Sequence, residues 1–265
     1  MATGPKSIIL MPPDPERPTP RRLYKYLAFK SDASKEQVRS ILVGRTLYFS
    51  SRTKFNDPFD CFIPSFVDVP KADMLRFLAN RFLRNKVAKN KSEAHDLARM
   101  IDLGRLQTDL QNDVNKIGIL CLTEDPTNML MWGHYADCHS GLCLQFAASE
   151  MDTFFGPAQP IVYSRDRPRF DPNGTEADNA GTALLTKSID WVYELEWRVI
   201  NYATGSRSYV FPSGNLVGII LGYQMPLEER QQVLEMVANG GFSAVAVYEA
   251  LPDEHEYKMH LRLFR

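Results

Sequence analysis

No apolar run in this chain of 265 residues approaches the ~20 needed to cross a bilayer, so a membrane-spanning protein is not expected. Neither sign of charge dominates: Lys and Arg total 31 against 32 for Asp and Glu. A net charge of -1 therefore gives no global pull toward nucleic acid or an anionic surface, and any such preference must be local. Cysteine is scarce, with four residues (Cys61, Cys121, Cys138, Cys143) and no C-x-x-C pair, which fits free thiols in a reducing cytoplasm. The apolar run Ser7–Met11 is too short for a secretory leader and prolines follow it at once. The glycines form neither G-x-G-x-x-G nor a Walker loop, and no G-x-S-x-G elbow is present. Dinucleotide binding on a Rossmann loop and serine-hydrolase chemistry lose their usual signatures.

The stretch Trp191–Ile200 sets two carboxylates and a guanidinium among large apolar residues. Read as a β-strand, it places Tyr193, Leu195, Trp197 and Val199 on one face and Glu194, Glu196 and Arg198 on the other. Like charges on one strand face repel unless a cation or ligand opposes them, and Arg198 is the candidate cation. A one-residue bulge would swap the faces of Glu194 and Glu196, so which of them points inward stays open.

Six prolines between Pro5 and Pro20 mark residues 1–22 as an extended or disordered tail, and residues 23–265 read as one α+β domain. A strand is expected at Leu23–Leu27, then a helix capped by Ser34 and closed by Gly44, then a β-rich segment over Thr46–Ser51. Phe55–Asp60 reads as a turn between aromatics. Helical spacing from Ala72 to about Asn115 predicts an insert of two or three helices, carrying a basic run from Arg81 to Lys91. Further strands are expected at Ile117–Thr123, Leu142–Phe146, Ile161–Tyr163, Ser208–Phe211, Leu216–Leu221 and Ala244–Tyr248, with a helix over Pro226–Ala238 and a surface loop over Asp166–Gly181. The irregular order predicts an α+β fold with a mixed, largely antiparallel sheet.

His134 and Cys138, and again His139 and Cys143, stand at i and i+4, a zinc-like spacing. Gly141 should end the helix and Cys143 falls in a strand, so no metal site is expected. Taken together, four motifs resemble a bacterial domain family of unknown function, number 2971: Leu23–Tyr26; Leu47–Ser51 with Phe55–Asp60; Met131–Asp137 with His139 and Gly141; and Lys187–Arg198. The order strand, helix, aromatic-serine strand and later E-x-E strand is also similar to the ADP-ribosyltransferase superfamily. That resemblance implies a split sheet, NAD as substrate and a role as a toxin or phage-defence effector acting on a macromolecular acceptor.

It also implies roles for particular residues. Glu196 would stabilise the ribose cation and Glu194 would orient or deprotonate the nucleophile. Tyr24 and Lys25 would hold the adenosine or pyrophosphate end, Tyr48 would stack on nicotinamide, and Ser50 or Ser51 would position its ribose. Asp57, His134, Tyr135 and Arg198 complete the expected lining. Two other readings are a non-catalytic ligand- or nucleic-acid-binding module, with Glu196 in open solvent, and a nuclease or hydrolase pairing His134 or His139 with Asp57.

Overall fold

A computed structural model describes residues 22–149, 151–203, 205–242 and 244–264. The proline-rich tail lies outside them except for Arg22, which opens the first strand. In chain order the elements are β1 (Arg22–Leu27), α1 (Asp32–Leu42), β2 (Thr46–Tyr48), α2 (Lys71–Arg84), α3 (Lys91–Arg99), α4 (Leu103–Lys116), β3 (Gly118–Thr123), α5 (Met129–Tyr135), β4 (Leu142–Ala147), β5 (Gln159–Pro160), β6 (Val162–Ser164), α6 (Glu176–Leu185), β7 (Thr186–Ser188), β8 (Glu196–Asn201), β9 (Ser208–Val210), β10 (Leu216–Leu221), α7 (Leu227–Asn239), β11 (Ala246–Pro252) and β12 (Met259–Leu263). The fold is α+β with a mixed, mostly antiparallel sheet, as the irregular element order predicts. No helix among the described residues is long and apolar enough to cross a membrane.

The chain divides into two compact units. The first takes residues up to Ser50, Gly118–Ile161 and Asp190 onward. Its eight-stranded sheet has the order β12-β11-β10-β4-β1-β3-β8-β5, with β10 and β11 the parallel neighbours. One face packs the main core: Leu23 and Leu27 of β1, Leu120 and Leu122 of β3, and Trp197 and Val199 of β8 meet Val38, Ile41 and Leu42 of α1 and Val233 and Met236 of α7. The other face carries α5, whose buried Trp132 meets Tyr26 edge-on at 5.1 Å. The ribbon of β2 and β9 belongs to the same unit and sends Leu47 into the main core.

The second unit takes Ser51–Ile117 and Val162–Ile189. It holds the expected helical insert, resolved as α2, α3 and α4, together with α6 and the parallel pair β6–β7. Phe66, Met74, Phe77, Leu78, Ala94, Ala98 and Phe170 form its core.

Several expectations need correction. The first helix is capped by Ser31, with Ser34 as the reciprocal partner of a capping box, because Asp32 already begins the helix. The loop expected over Asp166–Gly181 gives way to α6: Thr175 and Asp178 form a second capping box that starts a helix inside it. Strand β11 runs on to Pro252 and a further strand, β12, returns along it. Most consequential, Trp191–Ile200 is not one strand. Ile189–Glu194 is a 3-10 turn, Leu195 takes a positive φ of 44°, and β8 begins at Glu196.

Helix α5 ends in an unusual way. Asp137, Cys138 and His139 are all left-handed, with φ of 46°, 51° and 70°. Such residues cost about 1 kcal/mol or more each unless their surroundings hold them. Asp137 supplies part of that hold: its Oδ2 accepts from the backbone N–H of Phe29 at 2.7 Å and of Lys30 at 3.0 Å. Gly141 then passes so close to β1 that a Cβ would stand 2.2 Å from the Leu27 carbonyl. This left-handed run dissolves the helical stacking of His134 on Cys138 that a zinc site would require.

Asp137→Ala should lower stability by about 1–2 kcal/mol, since it strands the partly buried Phe29 N–H and removes the hold on the exposed Lys30 N–H. Asp137→Asn, which keeps an acceptor and tolerates the left-handed region, should lose less; thermal melts of the two variants give the comparison. At the far edge of the sheet Glu249 accepts from Arg230 at 2.6 Å and Arg262 at 2.7 Å. Burial raises its carboxyl pKa, but the two guanidinium groups outweigh that and hold it below the ordinary glutamate range. A depressed native pKa means stability that is full above the unfolded-chain value and is lost as pH falls through the native one. Arg230→Met should therefore move acid unfolding to higher pH, measured by circular dichroism across a pH series.

Candidate functional site

The site is built on the α5 face of the first unit's sheet. Cross-strand partners share a face, so the register can be read as a row. Tyr24 on β1 opposes Gln145 on β4 and Thr123 on β3; Gln145 opposes Gly218 on β10, and Thr123 opposes Glu196 on β8. Tyr24 and Glu196 are thus two strand spacings apart, about 10 Å. Gln145 Nε2 donates to Tyr24 Oη at 3.0 Å. Gly218 leaves room for that amide, because a Cβ there would lie 2.3 Å from Gln145 Oε1.

Two residues along β3, Cys121 opposes Arg198, which also pairs with Gln159 on β5. Arg198 is 0% exposed and Glu196 3%. They form a forked ion pair, Nε to Oε1 at 2.7 Å and Nη2 to Oε2 at 3.0 Å. The cation expected to oppose the acidic strand face is therefore on the same strand, and Glu196 is buried rather than in the open solvent that the binding-module reading expects. Cys121 donates a hydrogen bond to the Glu196 carboxylate. Burial pushes this thiol well above its usual range and the nearby Glu196 adds to the effect, outweighing Arg198 and Lys25.

Lys25 reaches the same neighbourhood, its Nζ donating to the Cys121 carbonyl at 3.2 Å. Burial lowers its pKa, partly opposed by Cys121, Glu196 and Cys143. Glu194 is also buried and reaches the site by a separate route. Oη of Tyr135, at the end of α5, donates to its Oε1 at 2.6 Å. The rings beside it form a chain: Tyr135 lies 6.3 Å from His134, His134 6.2 Å from Tyr193 and Tyr193 6.1 Å from Trp191. His134 itself is exposed.

Where β1 and β3 part, another residue takes over. The two strands pair only at Tyr24 and Thr123, and Ser50 bridges to Ile119 through N–H···O bonds of 2.8 and 2.9 Å. Ile119, Cys121 and Thr123 alternate onto one face, so Ser50 shares the side of Glu196 and Arg198, about 13 Å along β3 from the Tyr24 row. Tyr48 sits apart on the β2–β9 ribbon, exposed, with its hydroxyl 2.8 Å from that of Ser206.

Ser51 and Asp57 belong to the second unit. The Ser51 hydroxyl donates to the Asn115 carbonyl at 2.6 Å and caps the 3-10 turn Arg52–Lys54. Asp57 is buried and its Oδ1 accepts from the N–H of Phe59, closing a local turn. Within the first unit, then, Tyr24, Ser50, Glu196 and Arg198 share a sheet face, Tyr135 and Glu194 bond to each other on α5 and the turn before β8, and Lys25 alternates onto the main-core side of β1 beside Leu23 and Leu27.

Thr123, Cys121, Gln145 and Gly218 join that face without having been singled out from sequence. A glutamine inside the apolar run Leu142–Phe146 is the signal that was available. Among the described residues no cluster of His, Cys, Asp or Glu has the geometry to hold a metal ion, and all four cysteines are free.

Residues 131–199 match the family model described as protein of unknown function (DUF2971). The matched stretch contains Tyr135, Glu194, Glu196 and Arg198, and leaves out Tyr24, Lys25 and Ser50. No curated protein and no solved structure matches the chain.

The ion pair yields a prediction. Arg198→Met leaves a carboxylate buried without its main counter-charge and should cost about 3–5 kcal/mol. The double variant Glu196→Gln with Arg198→Met should cost clearly less than the sum of the singles, measured by urea unfolding of all four proteins.

Proposed function

We propose that the chain cleaves NAD at the nicotinamide–ribose bond and passes the ADP-ribosyl group to an acceptor or to water. The observation that carries the reading is the placement of a buried carboxylate, Glu196, in the same cross-strand row as Tyr24, with Ser50 on the same side where β1 and β3 part. Nicotinamide leaves with the bonding electron pair, and positive charge grows on the ribose carbon and ring oxygen. A carboxylate beside it gains more interaction in the transition state than in the ground state, so it accelerates the step rather than merely tightening binding. The Arg198 fork fixes the orientation of Glu196 without using a flexible contact.

The incoming nucleophile must lose its proton as it attacks, and Glu194 is the acceptor for that proton. Tyr135 holds one of its oxygens and thereby aims the carboxylate. Tyr24 presents a hydroxyl whose oxygen already accepts from Gln145, leaving its proton directed toward the ligand. Lys25, on the main-core side of β1 with its ammonium on the Cys121 carbonyl, carries no step. Tyr48, Ser51, Asp57 and His134 carry no step of this reading. Unregulated consumption of NAD in the cytoplasm is the chemistry a toxin or phage-defence effector would use, and the acceptor would be a macromolecule or water.

Incubation with NAD labelled in the nicotinamide ring should release free nicotinamide. Glu196→Gln keeps an acceptor oxygen for Arg198 and should reduce release at least about 100-fold, with its fold checked by circular dichroism. Glu194→Gln should slow transfer while leaving NAD affinity near that of the parent. Absence of both nicotinamide release and NAD binding by calorimetry would overturn the reading.

A further inference from the structure

The second unit has a surface of its own. Phe59 and Phe62 are 65% and 40% exposed, although burying either ring would ordinarily be favourable. Arginines stand over them instead. The Arg167 guanidinium carbon lies 5.7 Å from the Phe59 ring centre and 5.3 Å from that of Phe62, and Arg52 stands 4.9 Å over Phe62. Arg52 is fixed in place, donating from Nε to the Asp60 carbonyl and from Nη2 to that of Pro58. Arg165 and Arg169, on either side of Arg167, are also exposed.

The acids of these two segments are mostly turned inward. Asp57 is buried and accepts from Phe59 N–H; Asp60 is buried and pairs with the Lys187 ammonium at 3.8 Å. Asp166 is the acid that segments 52–62 and 165–169 leave at the surface. The face is therefore both aromatic and net positive, although the chain as a whole is near neutrality.

We infer that this face binds single-stranded nucleic acid, with bases stacking on Phe59 and Phe62 and phosphates meeting Arg165, Arg167 and Arg169. Every base has an aromatic face, so stacking on phenylalanine tolerates sequence, while a planar guanidinium can both stack and take a phosphate. Reading a duplex would need a helix or hairpin to enter a groove, and these residues sit on loops, where bases must come to them already unpaired. The inference does not depend on NAD chemistry.

The test uses the full chain and fluorescein-labelled oligouridylate and oligothymidylate of about 12 nucleotides, followed by anisotropy. Binding should weaken roughly 20-fold between about 50 and 200 mM salt, as expected for some three phosphate contacts on a single strand. Phe59→Ala with Phe62→Ala should weaken it at least about 10-fold, and Phe59→Trp should preserve it. Arg167→Glu should also weaken binding strongly, with the melting temperature close to the parent's because the side chain is exposed. No binding by the parent chain, equal affinity for the corresponding duplex, or undiminished binding by both the double alanine and Arg167→Glu variants would each overturn the inference.

Discussion

A charge pair that water does not reach sets the terms for the first unit. Glu196 and Arg198 lie on an interior strand whose alternate residues, Trp197 and Val199, belong to the main core. Buried charges are tolerated only when paired and hydrogen-bonded, so every element around this pair must bring a polar partner or keep its distance. Cys121 brings a thiol donor, Gln159 and Thr123 fill the neighbouring register positions, and Gln145 and Tyr24 bond to each other further along the row. The α5 face is consequently divided. Trp132, Cys143, Ile220 and Ala250 form a second apolar cluster under the helix, and the polar groups collect on the side of β8.

The turn before β8 shows how this division is maintained. In a regular strand Glu194 and Glu196 would share a face through alternation, at the cost of placing two like charges side by side. Here the backbone instead takes a 3-10 turn to Glu194, a left-handed step at Leu195 and then the strand. Glu194 accepts from Tyr135 and Glu196 from the Arg198 fork.

Much of this was legible in the sequence, and the limits have physical causes. Periodicity located β1, β3, β4, β10, the helices of the insert and α7, because each has one apolar face or is buried on both. Helix α6 is hidden in the sequence because proline and glycine mask the Thr175–Asp178 capping pair. The 3-10 turn is hidden because Trp191 and Tyr193 have strong strand preference and the deciding event, the positive φ of Leu195, has no residue signature of its own. Register is still less accessible. That Gln145 should meet Tyr24 and require a glycine at 218 follows from three strands being aligned, which is a tertiary fact. The family match has the same boundary: it includes both carboxylates and Tyr135, while the residues that complete the row come from β1, β3 and β10 outside or alongside it.

Charge shows the gap between composition and surface most directly. Summed over the chain, acids and bases nearly cancel, which at sequence level argues against polyanion binding. The cancellation fails locally because folding sorts the two signs by depth. Asp57 and Asp60 are short and can be satisfied by a turn N–H or by Lys187 inside the second unit, whereas Arg165, Arg167 and Arg169 keep their long side chains outward. The basic run from Arg81 to Lys91, on α2 and the segment after it, behaves differently at its start, since Arg81 is drawn into an ion pair with Glu176. A conspicuous run of positive residues is thus partly neutralised, whereas the less conspicuous segment 165–169 keeps three exposed arginines against one exposed aspartate beside an aromatic loop. What a surface presents is decided by which charges the core can accept, and aspartate at a tight turn is among the easiest to take in.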